Sequence, residues 1–199
     1  LHSSHKSTQK GAIIFLPFPV PSGSSFDWKT LLTSGIRRPP ELAWVQAPDG
    51  IWQGYDGEWR RVSQQLIALA EATAAEKFAW RPTAGVRSTS EVYMHIAMAN
   101  FYLLSVTGPK MPAGLKEDAE KTVTSKAEVI DWLKRSLDAV KESHLAVKPN
   151  DLERKVHIAD RDATVDGIYL RIIVHADEHM GQLIAYARMT GVVPPWSKN

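Results

Sequence analysis

The chain has 199 residues, enough for one ordinary domain with a sizeable core and some extra chain. Its formal net charge is only +2, and its 24 Lys and Arg residues are scattered rather than clustered, which argues against a nucleic-acid footprint. Cysteine is absent, which excludes disulfides, thiolate metal ligands and a cysteine nucleophile together. Any metal site must therefore use His, carboxylate or water.

Residues 1–57 read as an irregular N-terminal arm or linker, and 58–199 as the folded domain. The arm mixes polar, Gly and Pro residues with one apolar run, Ala12 to Val20. That run carries two prolines and is too short to span a bilayer. It follows Lys10 as a signal peptide's apolar region would, but no small-residue cleavage pattern accompanies it. His2 and His5 sit in a polar, tag-like start and are given no role. Between Ile36 and Trp59, the turn signals Arg-Pro-Pro, Ala-Pro-Asp-Gly and Tyr-Asp-Gly alternate with Trp44, Trp52 and Trp59. These tryptophans are expected to pack an extended arm onto the domain rather than line a binding site; a dimer contact is their other use.

From Glu58 the pattern becomes helical. Trp59, Val62, Leu66, Leu69, Ala70 and Thr73 recur at spacings of three and four, predicting a first helix to about Lys77. Phe78-Ala-Trp-Arg-Pro82 ends it, because a residue before proline is pushed out of the helical region. Ser88-Thr-Ser-Glu91 has capping-box spacing and opens a second helix, which runs through Val92, His95, Ile96, Ala99, Tyr102 and Leu103 to Gly108-Pro109. Residues 109–124 read as a loop. Ser125-Lys-Ala-Glu128 is a second capping-box match and starts a third helix, with Val129, Ile130, Leu133, Leu137 and Val140 as its buried stripe. His144, near that helix's end, is expected to face solvent and complement the helix dipole. Leu152 to Asp162 alternates as a short extended piece with His157 pointing outward.

The last helix, from the Thr164 cap to the Gly191 stop, carries Ile168, Ile172, Ile173, Ala176, Met180, Leu183, Ile184 and Ala187 on one side. His175 and His179 stack one turn apart on it, with Cβ atoms roughly 5–6 Å from each other. One histidine on an apolar face is usually a satisfied core residue. A pair there is costlier to bury without partners, and two such imidazoles can aim a nitrogen each at one divalent ion. Four amphipathic helices joined by loops argue for an all-α four-helix bundle, in which metal sites are built from side chains on facing helices. The longer connections after the second and third helices allow a crossover. A third ligand is then expected on another helix, pointing inward, and His95 is the histidine that meets this condition.

Two strings carry a family resemblance. RPTAGVRSTSEVYMHIAMAN resembles the second-helix signature of the DinB-like (DinB/YfiT) metalloenzyme superfamily, and HADEHMGQLIAYARMTGVVPP resembles its last-helix signature. The match covers about residues 58–195 and leaves the arm unexplained. The resemblance implies a four-helix bundle of DinB/YfiT type, often a homodimer, with nickel or zinc held by His95, His175 and His179. It also implies transferases that use a low-molecular-weight thiol such as bacillithiol or mycothiol, and a related maleylpyruvate isomerase. It does not imply DNA binding. His175-Ala-Asp-Glu178-His179 also fits the inverted zincin pattern of some metalloproteases, with Glu178 as general base. That pattern wants an acidic third ligand downstream, and no Asp, Glu or His follows His179.

Three neutral imidazoles leave coordination positions open, as catalytic sites do. The expected function is a metal-dependent thiol S-transferase or hydrolase acting on a small molecule; the alternative is a non-catalytic metal- or ligand-binding bundle of the stress-response kind. Gln182, one turn beyond His179, could orient a ligand or a metal-bound water, though a plain surface Gln fits equally. Glu91, one turn before His95, is a comparable candidate that could simply cap its helix, and Glu178 could be a solvated face residue. Tyr186 and Arg188 are expected to pack the helix end; Arg87 and Trp80 are left between fold and site. Neither a nucleic-acid nor a membrane partner is expected. A cytoplasmic location is, with an exported form left open.

Overall fold

The computed structural model of the chain describes residues 54–197, so the expectations for Trp44, Trp52 and nearly all of the arm lie outside the described residues. Among the described residues the elements are α1 (Gly54–Ala72), α2 (Thr89–Thr107), the single-turn α3 (Ala119–Thr122), α4 (Lys126–Ala146), a hairpin of β1 (Lys155–Ile158) and β2 (Arg161–Thr164), and α5 (Val165–Met189). The four long helices form a bundle around a core that includes Trp59, Leu66, Tyr93, Met94, Ile96, Leu133, Ile172 and Leu183.

Local chemistry explains the helix ends. The Ser88 side chain accepts from the Glu91 N–H while Glu91 accepts from the Ser88 N–H, which completes the capping box of α2. At α4 only half of the box forms, because the Ser125 hydroxyl itself donates to Glu128. Thr164 caps α5 by accepting from the Gly167 N–H. Gly191, at φ +77°, closes α5 with the paired bonds Val192 N–H to Ala187 O and Gly191 N–H to Arg188 O, the Schellman arrangement.

The first helix differs from the sequence expectation at both ends. It begins four residues earlier, at Gly54, and stops at Ala72, with a separate 3₁₀ turn over Ala75–Lys77. Ala74 is extended, and the resulting bend returns Phe78 to the core, where it is 1% exposed. His144 is also not the solvent-facing residue expected. It stacks on Tyr55 with ring centroids 4.1 Å apart and donates to Asp56 at 2.7 Å. His157 does face outward, donating across the hairpin to Asp162.

Side-chain pairs fix the helix directions. Trp59, early in α1, donates to the Leu137 carbonyl in the second half of α4, while Glu71 near the end of α1 meets Lys126 and Lys134 in the first half of α4; the pair is antiparallel. Tyr55 meets Tyr169 and Arg61 meets Asp177, so α1 and α5 run parallel. The end of α2 at Thr107 shares a small cavity with Ser143 of α4 and with Val165 and Tyr169 of α5. The other end of α2 shares Phe78 with the start of α4. Thus α2 runs parallel to α4 and antiparallel to α5.

Joining two parallel neighbours requires the chain to return along the whole of α2, about 28 Å for a helix of its 19 residues. Residues 108–125 make that return, and α3 lies on it, packed against α2. The crossover admitted by the loop lengths is therefore real. Its course decides what stands behind the second helix's histidine.

Candidate metal centre

His175 and His179 project from α5 toward α2, and His95 projects from α2 toward them. The 3.6-residue period puts the α5 pair on one side, one turn apart, with ring centroids at 4.5 Å. The His95 ring lies 5.0 Å from that of His175 and 4.7 Å from that of His179. One nitrogen from each of the three falls within 4.8 Å of the others. The site lies just beneath the surface: His175 is 8% exposed, whereas the His95 side chain is 25% exposed and offers a way in.

Each outer imidazole is held from behind. His95 Nδ1–H donates to Glu120 Oε2 at 2.9 Å, and Arg87 grips the same carboxylate, with Nε donating to Oε1 at 2.7 Å. His179 Nδ1–H donates to Gln182 Oε1 at 2.9 Å. Gln182 Nε2 in turn donates to the Tyr186 hydroxyl at 2.8 Å, and that hydroxyl donates to the Arg87 carbonyl at 3.2 Å. These bonds turn Nε2 of both rings toward the shared space.

The donor set fits a small divalent ion. His95 Nε2 and His175 Nε2 lie 3.1 Å apart. Two nitrogens at roughly 2.0–2.1 Å from one ion are separated by about 2.9 Å at a right angle and about 3.4 Å at a tetrahedral one, so the spacing suits a common ligand sphere. The electrostatics agree. Burial, then the neighbouring His179 and His95, lower the His175 pKa to about 4. Burial and the Arg87 cation also lower that of His95, against the opposing pull of Glu120. Burial raises Glu120, but the hydrogen bonds from Arg87 and His95 outweigh it and its carboxyl stays below the usual range. Neutral imidazoles backed by a carboxylate are the protonation states a cation needs.

Of the other sequence candidates, Gln182 stands at the site and Glu91 and Glu178 stand elsewhere. Glu91 spends its carboxylate on the Ser88 N–H and on Arg81, so the acid behind His95 is Glu120 instead. Helix spacing pointed to Glu91, yet its cap holds it. Glu178 lies on the exposed face of α5 and pairs with Arg171 at 2.9 Å. Gln182 is at the site, bonded to His179. Tyr186 both packs, edge-on to Trp80, and links Gln182 to Arg87. Sequence reasoning missed Glu120 and left Arg87 undecided. The one available signal was the need for an acceptor behind each ligating imidazole, which directs attention to the acidic stretch Glu117-Asp118-Ala119-Glu120.

Fold and site together define a class: a crossover four-helix bundle whose inter-helix histidines are compatible with binding a metal ion. The family model of the DinB superfamily matches residues 58–183, and the chain belongs to that superfamily. Two solved structures share its fold. A DinB-like protein from Bacillus cereus superposes with a TM-score of 0.62 at 20% identity, over 72% of this chain and 95% of that one. A DinB-like protein, YjoA, from Bacillus subtilis gives 0.56 at 15% identity, over 70% and 93%. No curated protein sequence matches significantly. No helix among the described residues is long and apolar enough to cross a membrane.

Proposed function

We propose that the chain is a metal-dependent enzyme of the thiol S-transferase or hydrolase type, with His95, His175 and His179 holding one divalent ion, nickel or zinc. The observation that carries this is the convergence of three imidazole nitrogens within 4.8 Å beside a solvent-reachable edge. A bound ion there supplies Lewis acidity and lowers the pKa of a thiol or water that reaches it.

The chain's own residues shape the rest. The three ligands are neutral, so they leave the cation's charge undiminished for an incoming anion. His175 is nearly buried, so the inner side of the site is shut off from bulk water. Among the described residues, the carboxylates whose charge acts on His95 and His175 are already engaged, Glu120 by Arg87 and Glu178 by Arg171. A nucleophile that needs no strong general base suits such a site. A thiol has a pKa of about 8.5 and needs only a small shift to ionise at neutral pH. This favours the transferase over the hydrolase. In that reaction the thiol proton leaves to solvent, sulfur forms a bond to the electrophilic carbon, and the leaving group departs with its electron pair.

Two measurements test the proposal. Elemental analysis of the purified protein is expected to show stoichiometric nickel or zinc, lost in His175→Ala. Thiol consumption with a chloronitrobenzene, which releases chloride, is expected to require the metal. Metal binding without turnover for any low-molecular-weight thiol would leave a non-catalytic metal-binding bundle. No metal in the wild-type protein would remove both readings.

A further inference from the structure

We propose that Arg87 is a positioning residue that sets the tautomers of His95 and His179 together, from opposite sides, by offering a donor with its side chain and an acceptor with its backbone. The inference deepens the metal-site reading and rests on it for its purpose, though not for its test.

The hydrogen-bond polarity admits one solution on each side. A carbonyl oxygen can only accept, so the Tyr186 hydroxyl donates its single proton to Arg87 O. The Tyr186 oxygen is then left as acceptor for the Gln182 amide NH₂. That turns the Gln182 carbonyl toward His179, whose Nδ1 must carry the proton. On the other side the Arg87 guanidinium holds Glu120 as a carboxylate, which can only accept, so His95 Nδ1 must also carry its proton. In both rings the lone pair falls on Nε2, the atom that faces the shared space. One residue, 99 positions from Tyr186 and 33 from Glu120, closes both chains.

This assigns work to two segments that lack helical periodicity. The loop before α2 supplies Arg87, and the crossover supplies Glu120 from α3. Imidazoles without such backing would divide between two tautomers, one of them unable to ligate through Nε2.

The test is nitrogen-15 NMR of the histidine side chains in metal-free protein, paired with zinc affinity from competition with a chromophoric chelator. The wild-type protein is expected to show His95 and His179 as Nδ1–H tautomers. Glu120→Gln leaves His179 unchanged and disturbs His95 alone. Arg87→Ala removes the guanidinium but keeps the carbonyl, so it disturbs His95 and spares His179. Tyr186→Phe, which cuts the link to that carbonyl, disturbs His179 alone. Each variant weakens zinc binding ~10–100-fold. Arg87→Lys, which keeps the charge but not the forked donor, is likewise expected to retain the His179 tautomer and loosen His95; it stands in if Arg87→Ala fails to fold. Wild-type His95 or His179 in the Nε2–H form overturns the proposal, as do Arg87 variants with the His95 resonances unmoved or Tyr186→Phe with those of His179 unmoved. Because the tautomers are read without metal, a wild-type protein that binds no zinc would defeat the metal reading separately.

Discussion

His175 ties the chemistry of the site to the stability of the chain. Its pKa is lowered to about 4 by burial first and by His179 and His95 after it, against about 6.5 in an unfolded chain. Between those two values the unfolded state binds a proton that the folded state refuses. The sign is therefore fixed: acid favours unfolding, and the metal-free protein loses stability as the pH falls from about 6.5 to about 4, then levels off. The loss is on the order of 3 kcal/mol, and His95, also lowered, adds in the same direction. Urea melts at pH 7.5, 5.5 and 4.5 measure it. His175→Gln should flatten the slope; an unchanged slope would mean that this imidazole is not held neutral.

At the scale of elements, the hairpin between α4 and α5 offers the cleanest backbone test. Its two-residue turn places Ala159 at φ 44° and Asp160 at φ 63°, the left-handed pair of a type I′ turn. Asp tolerates that region, whereas Ala gains nothing there from its side chain. Ala159→Asn is expected to raise stability by about 0.5–1 kcal/mol without touching the site, as read by the denaturation midpoint. A lower midpoint would show that the turn is not strained.

The same elements show what the amino-acid sequence could and could not convey. Ser88 with Glu91, Thr164 and Gly191 were legible because caps and stops are made by neighbours a few residues apart. His175 and His179 were legible for the same reason, four residues apart on one helix. The strand β2 was not: Arg161 to Thr164 is short, polar and largely exposed, so it has no inward face to alternate with. Glu120 was hidden more deeply. It lies 25 residues from His95 on a connection without periodicity, and only the parallel course of α2 and α4 brings it there.

The whole molecule should register the metal. A ligand that binds the folded state alone stabilises it by about 2.7 kcal/mol at a hundredfold excess over its dissociation constant. Zinc or nickel is therefore expected to raise the melting temperature of the wild-type chain, and to leave that of His175→Ala nearly unmoved. Equal shifts in both proteins would place the ion somewhere other than between α2 and α5.

Helices adjacent in the chain, α1 with α2 and α4 with α5, are not major neighbours in the bundle; the extensive contacts join α2 to α4 and α5, and α1 to α4 and α5. No simple helical hairpin can form first, and His95 must find His175 across 80 intervening positions. Such distant pairings slow folding, because loop closure is paid before contacts reward it. Completing the ligand triangle further requires the final side-chain packing, which is expected after the rate-limiting barrier. Stopped-flow refolding should then proceed at nearly the same speed with or without zinc, while unfolding slows in its presence.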